Sequence, residues 1–212
     1  IDGGYRYQSK DFSISATVFN SDFKNRQVQA TDPNTLVSTY INAGGVKNRG
    51  LELEAGTGSF MGFSAYGSLT LQKSKIKDNL QVTTTGLLPI AGKQFGKTPE
   101  KMMALSLQYE RGPVYVRLKG KYTGSQYADL MNQEKVPGYT TANLDAGYKF
   151  DKVAGLSNVK LAMNISNLTN KQYRSASSII TNAASTPLIG TGTQSASTQF
   201  YYLGSPDRKS VV

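Results

Sequence analysis

The sequence predicts an all-β chain: an antiparallel meander of about nine strands that forms part of a large transmembrane β-barrel. Three observations carry this reading. Segments of about ten residues keep one face apolar and the other polar. Short turns and long polar loops alternate between them, which sorts the loops to one side of a membrane. Several aromatic residues fall at the same end of the apolar faces. The hydropathy of the whole chain does not oppose this. Mean hydropathy is slightly negative, but only every second residue of a barrel strand meets lipid. No run of eighteen apolar residues offers a membrane-spanning helix.

The elements follow in order. Strand one covers about Ile1–Gln8, and Ser9-Lys10-Asp11 is a tight turn. In strand two, Phe12, Ile14, Ala16 and Val18 oppose Ser13, Ser15 and Thr17. A polar loop over about 24–39 is punctuated by Asp32-Pro33-Asn34. Strand three alternates Leu51, Leu53 and Ala55 with Glu52 and Glu54, and Gly56–Gly62 makes the next short turn. Strand four is the cleanest alternation: Phe63, Ala65, Gly67, Leu69 and Leu71 against Ser64, Tyr66, Ser68, Thr70 and Gln72. A long loop spans about 73–99.

Strand five presents Met103, Leu105, Leu107 and Tyr109, and Glu110-Arg111-Gly112-Pro113 turns it. Strand six sets Val114, Val116, Leu118, Gly120 and Tyr122 against Tyr115, Arg117, Lys119 and Lys121. After a loop over 125–138, strand seven sets Ala142, Leu144, Ala146, Tyr148 and Phe150 against Thr141, Asn143, Asp145 and Lys149. Residues 151–158 turn into strand eight, with Val159, Leu161, Met163 and Ile165 on one face. A Ser/Thr/Ala/Gly-rich loop over 169–198 precedes a last short strand from about Gln199. Phe12, Phe63, Tyr109 and Phe150 all sit next to short turns and form one aromatic ring at one interface.

Composition excludes several functions. Cys and His are absent from the 212 residues. This removes disulfide scaffolds, Cys/His zinc sites, cysteine nucleophiles and Ser-His-Asp triads. No convergent catalytic set is visible, so the chain is read as a non-enzyme with no cofactor or metal. Glu52 and Glu54 share a strand face but have no nucleophile nearby; they read as hydrated carboxylates. Gly56–Gly62 misses the dinucleotide-loop spacing and reads as a turn. The formal net charge of +10 admits nucleic acid, an anionic lipid surface or an anionic ligand. Lys73, Lys75 and Lys77 alternate at the top of strand four, where they are expected to contact anionic lipopolysaccharide or to keep the loop hydrated. Tyr127, Asn132 and Tyr139, at the mouth, are the candidate ligand-binding residues.

Several ordered stretches resemble the C-terminal barrel of TonB-dependent outer-membrane receptors. Asn42-Ala43-Gly44-Gly45-Val46-Lys47-Asn48-Arg49-Gly50-Leu51-Glu52-Leu53-Glu54 looks like the family's "N-x-G…G-x-E-x-E" strand. The run from Leu161 to Tyr173 looks like its "N-x-x-N-L-x-N-x-x-Y" segment. Tyr122-Thr123-Gly124, Val136-Pro137-Gly138-Tyr139 and Asp145-Ala146-Gly147-Tyr148 keep the family's order. Such barrels close with about 22 strands, so the chain is read as a fragment lacking the plug, with residues 1–206 as barrel. Gly204-Ser205-Pro206 leads into Asp207-Arg208-Lys209-Ser210-Val211-Val212 rather than an aromatic-ended strand, and residues 207–212 are expected to be a non-native tail.

The resemblance implies TonB-dependent active transport of a ferric siderophore or similar scarce nutrient across the outer membrane of a Gram-negative bacterium. The implied partners are outer-membrane lipid, lipopolysaccharide, the nutrient ligand, and the TonB energy-coupling complex through the missing plug; nucleic acid is not among them. Two alternatives remain: a passive porin-type channel, and a soluble basic β-sheet binding protein. The soluble reading predicts that the Leu/Val/Phe faces pack on a second sheet. An open sheet leaves two unpaired edges, so the 212 residues alone are expected not to insert stably.

Overall fold

A computed structural model describes residues 1–31, 38–42, 44–153, 155–204 and 208–211; the expected turn at Asp32-Pro33-Asn34 lies outside them. The main sheet contains nine antiparallel strands in sequence order. They are β1 (Asp2–Gln8), β2 (Phe12–Phe23), β3 (Val46–Thr57), β4 (Phe63–Ile76), β5 (Lys101–Arg111), β6 (Val114–Thr123), β7 (Tyr139–Val153), β8 (Leu156–Ser166) and β9 (Arg208–Val211).

The hairpin turns follow local chemistry. At the first, Ser9 Oγ accepts the Phe12 N–H at 3.1 Å. At the β3–β4 turn, Met61 and Gly62 both take positive φ, 51° and 90°. This is the mirror-image geometry that matches strand twist. Gly112 does the same between β5 and β6, with φ 57°. Every short turn lies at one end of the sheet and every long connection at the other.

Register joins the apolar positions into one surface. Val18 pairs with Leu51, Leu51 with Leu71 and Leu53 with Leu69, Leu69 with Met103, Leu107 with Leu118, Leu118 with Leu144 and Leu144 with Ile165. Because side chains alternate with period two, the face is continuous across the sheet. Nothing among the described residues covers it. Leu105, Leu118 and Leu161 are 52%, 40% and 50% exposed, so the second layer required by a soluble sandwich is missing. An apolar surface of this extent marks a contact face.

The aromatic ring is present at the short-turn end. Phe63 and Tyr109 are cross-strand partners, with ring centroids 4.6 Å apart. Tyr7 joins Phe12 at 5.3 Å, and Tyr148 joins Phe150 at 4.5 Å.

The opposite face carries charge. Lys119 pairs with Asp145 at 3.2 Å, and Arg117 Nε donates to Gln108 Oε1 at 2.9 Å. Glu52 and Glu54 lie on this face in the rows of Thr70 and Ser68.

The buried apolar core lies in the loops. Val46 and Ile76, paired at the polar-face ends of β3 and β4, are joined by Leu80, Leu88, Ile90, Phe95, Leu130 and Met131. The loops therefore fold inward over the mouth. One difference from the sequence expectation concerns the end of the chain. Tyr201–Leu203 does not extend the sheet; it pairs with Arg174–Ala176 inside the loop cluster. The strand that adds to β8 is Arg208–Val211, within the segment expected to be a tail.

Candidate functional site

The loop cluster at the mouth is held by buried polar side chains. Asp129 is fully buried. Its carboxylate accepts the Gln133 N–H at 2.9 Å and the Glu134 N–H at 2.8 Å. Burial pushes its pKa above the ordinary carboxylate range, and these N–H donors pull it partly back. Asn182, also fully buried, donates to the carbonyls of Ala184 at 3.0 Å and Ser195 at 2.8 Å. Gln133 Oε1 accepts the N–H groups of Ala183 and Ala184, both at 2.9 Å. The connection after β6 is thus tied to the one after β8.

A second tie joins Glu134, Arg174 and Tyr201. Tyr201 Oη donates to Glu134 Oε1 at 2.5 Å, and Arg174 reaches the same oxygen at 3.5 Å. The Arg174 guanidinium lies 4.6 Å from the Tyr201 ring centroid. Burial and the adjacent carboxylate push the Tyr201 phenol up to about 12.

The three residues chosen from sequence occupy different settings. Tyr127 is half-buried and lines a polar cavity of about 430 Å³ with Gln94, Glu100, Lys101 and Lys135. Asn132 is an internal clasp: its Oδ1 accepts the Gln94 N–H at 2.7 Å, and its Nδ2 donates to the Gln94 carbonyl at 2.8 Å. Its φ of 59° is one that Asn tolerates. Tyr139 stacks on Tyr173, with centroids 4.0 Å apart and planes 12° apart. Only Tyr127 of the three lines that cavity; Asn132 and Tyr139 hold loops in place.

Sequence reasoning did not single out Asp129, Glu134, Asn182 or Tyr201. Only Asp129 left a local trace, as an acidic residue at the head of a short loop. Among the described residues no group of three or more Asp or Glu side chains could hold a metal ion. The site is a polar and aromatic surface held in shape by its own hydrogen bonds.

A single sheet with an apolar outer face, a polar inner face and a packed loop cluster at one end has the architecture of a wall segment of a transmembrane β-barrel. The family described as TonB dependent receptor-like, beta-barrel, matches residues 1–168; the chain belongs to this family. It is 32% identical over 160 residues to the ferrioxamine receptor of Yersinia enterocolitica, covering 74% of this chain and 20% of that protein. It is 27% identical over 177 residues to the ferrichrome outer membrane transporter/phage receptor of Escherichia coli, covering 80% and 22%. The crystal structure of the ferric yersiniabactin uptake receptor FyuA from Yersinia pestis has the same fold. Its TM-score is 0.68 at 19% identity, over 99% of this chain and 28% of that one. These relatives are named as receptors and transporters, not enzymes. The chain spans about a fifth of the length of the curated relatives it matches.

Proposed function

We propose that this chain forms part of the barrel of a Gram-negative outer-membrane receptor that imports a ferric siderophore or a similarly scarce nutrient. The carrying observation is the continuous apolar face of the sheet, set against a charged inner face and loops packed over one end. Lipid meets the outside, and every interior strand satisfies its backbone groups from its neighbours. The inner face lines a wet lumen against which a plug domain rests. The TonB energy-coupling complex acts on that plug. Tyr127 contacts the ligand at the mouth, while Asn132 and Tyr139 fix the loops that present it. The iron complex is cargo, and the names of the relatives support this ligand class.

The test is uptake of radiolabelled ferric siderophore by cells carrying the whole receptor, with and without a functional TonB complex. Uptake that requires the complex is expected. Equal uptake without it identifies a passive channel and overturns the proposal.

A further inference from the structure

The hairpin joining β3 to β4 departs from the other short turns. From Val46 to Gly56 the two strands keep a single register. Beyond it, Phe60 stands opposite Phe63, so residues 57–59 face only residues 64 and 65. This is a β-bulge, with one extra residue on the β3 side. Thr57 Oγ1 accepts the Ala65 N–H at 2.9 Å in place of a strand carbonyl, and the Gly58 N–H donates to the Asp11 carbonyl at 2.6 Å. The hairpins β1–β2, β5–β6 and β7–β8 hold one register up to their turns.

An extra residue reverses the face that the next side chains take. Phe60 is thereby turned outward, beside Phe63. Phe60, Met61 and Phe63 are 74%, 72% and 62% exposed. They line the turn end of a cavity of about 760 Å³, with Ala65, Leu107 and Leu118 beyond them. Ala65 lies opposite Leu107 and Leu107 opposite Leu118, so a short side chain sits beside two long ones and leaves a groove. Tyr109 belongs to the aromatic ring, and Leu107 lies two residues further in. At about 3.4 Å per residue and a tilt near 40°, that is roughly 5 Å deeper along the membrane normal. The groove therefore runs from the interface into hydrocarbon, where only a molecule already in the bilayer reaches it. It lies at the end opposite the mouth, hence in the periplasmic leaflet.

A carboxylate stands at the rim. Asp11 lines the cavity, is exposed and has no ion-pair partner among the described residues. Lys10 and Arg111, at the same end of the sheet, do not line it. A lipid phosphate would meet a charge of its own sign at Asp11. A primary ammonium would meet an acceptor of opposite charge, within reach of a charge-assisted hydrogen bond.

We propose that the bulged hairpin and the outward faces of β4, β5 and β6 hold one aminophospholipid of the periplasmic leaflet. Its acyl chain lies over Ala65 between Phe63 and Leu107, and its ammonium meets Asp11. The bulge supplies the wall of this site: without the extra residue Phe60 would face the lumen and the groove would lose its closed end. This rests on the outer-membrane assignment proposed above and adds to it a specific site.

The test uses the whole receptor purified in detergent micelles and stripped of lipid. It is offered phosphatidylethanolamine, phosphatidylcholine or phosphatidylglycerol with identical acyl chains, and retained lipid is counted by native mass spectrometry. The unmutated protein should hold the ethanolamine lipid about fivefold more tightly than either of the others, and Asp11→Asn should erase that preference. Ala65→Phe fills the groove and should weaken retention of all three about tenfold. Ala142→Phe, on the outward face of β7 opposite Gly120, should retain lipid as the parent does. Equal retention of the three lipids by the unmutated protein, a comparison that needs no variant to fold, overturns the site. So does an Asp11→Asn variant that keeps the preference, or an Ala65→Phe variant that binds like the parent. Failure of the outer-membrane reading would show separately, as a receptor that stays soluble without detergent.

Discussion

Arginine in place of Leu105 tests which solvent touches the apolar face. Leu105 lies on β5 midway between Lys101 and Tyr109, four residues from each. At about 3.4 Å per residue and a tilt near 40°, those eight residues span roughly 20 Å along the membrane normal. Leu105 therefore sits about 10 Å from either interface, at the bilayer midplane. Its two cross-strand neighbours are Gly67 and Gly120, so a longer side chain meets no side chain across the sheet. Steric strain is thus excluded, and the cost of Leu105→Arg is that of a charge in hydrocarbon, about 2–4 kcal/mol. On a water-exposed face the same change would cost within about 0.5 kcal/mol. The next residue, Ser106, points to the opposite face, and Ser106→Gln is expected to cost less than about 0.5 kcal/mol. The assay is urea unfolding of the complete barrel from phospholipid vesicles, read by far-UV circular dichroism or heat-modifiable gel mobility. A Leu105→Arg cost below about 0.5 kcal/mol, with Ser106→Gln equal to it, would refute the lipid-facing reading.

Other outcomes follow from the loops and the tight positions. Asp129→Ala leaves the N–H groups of Gln133 and Glu134 without their carboxylate acceptor, so hydrogen exchange should show the 126–136 loop less stable by about 1–2 kcal/mol. Asp129 has a raised pKa in the fold. Its neutral form is therefore favoured by folding, and its contribution is complete below the ordinary carboxylate value and lost as pH rises through the raised one. Asp129→Asn should flatten that part of the loop's pH profile. The Tyr201 phenol titrates near 12 instead of 10.0, so the Tyr201–Glu134 tie should weaken as pH climbs from about 10 to about 12, and Tyr201→Phe should remove this step. A Cβ at Gly147 would meet the Tyr115 ring and the Leu161 carbonyl; Gly147→Ala should cost about 1–3 kcal/mol in barrel unfolding. The 212 residues refolded alone, with β1 and β9 as open edges, should show no heat-modifiable mobility.

Most of the wall is readable from sequence, because β2 to β8 alternate strictly and a one-residue slip would turn every leucine to the wrong face. The loop cluster is not readable. Leu80, Ile90, Phe95, Leu130 and Leu188 come from three connections without a common period, and only their packing brings them together. Tyr201-Tyr202-Leu203 has strand composition, yet its partner is Arg174–Ala176, a choice that local propensity cannot make. The alternation of Lys73 and Lys75 is visible in one strand; that Arg49 and Lys47 stand opposite them requires the register. Asn132 stood out as a polar loop residue, but composition alone does not reveal that both ends of its amide are spent on Gln94.

The separation of the loop interior from the strand wall divides the work of change between two parts. The wall touches its surroundings directly on both sides, so a substitution there answers to lipid or water more than to neighbouring side chains. The mouth keeps its shape by contacts that are almost entirely its own. Substitutions in the loop cluster can therefore reshape the surface it presents while the strands beneath keep their register.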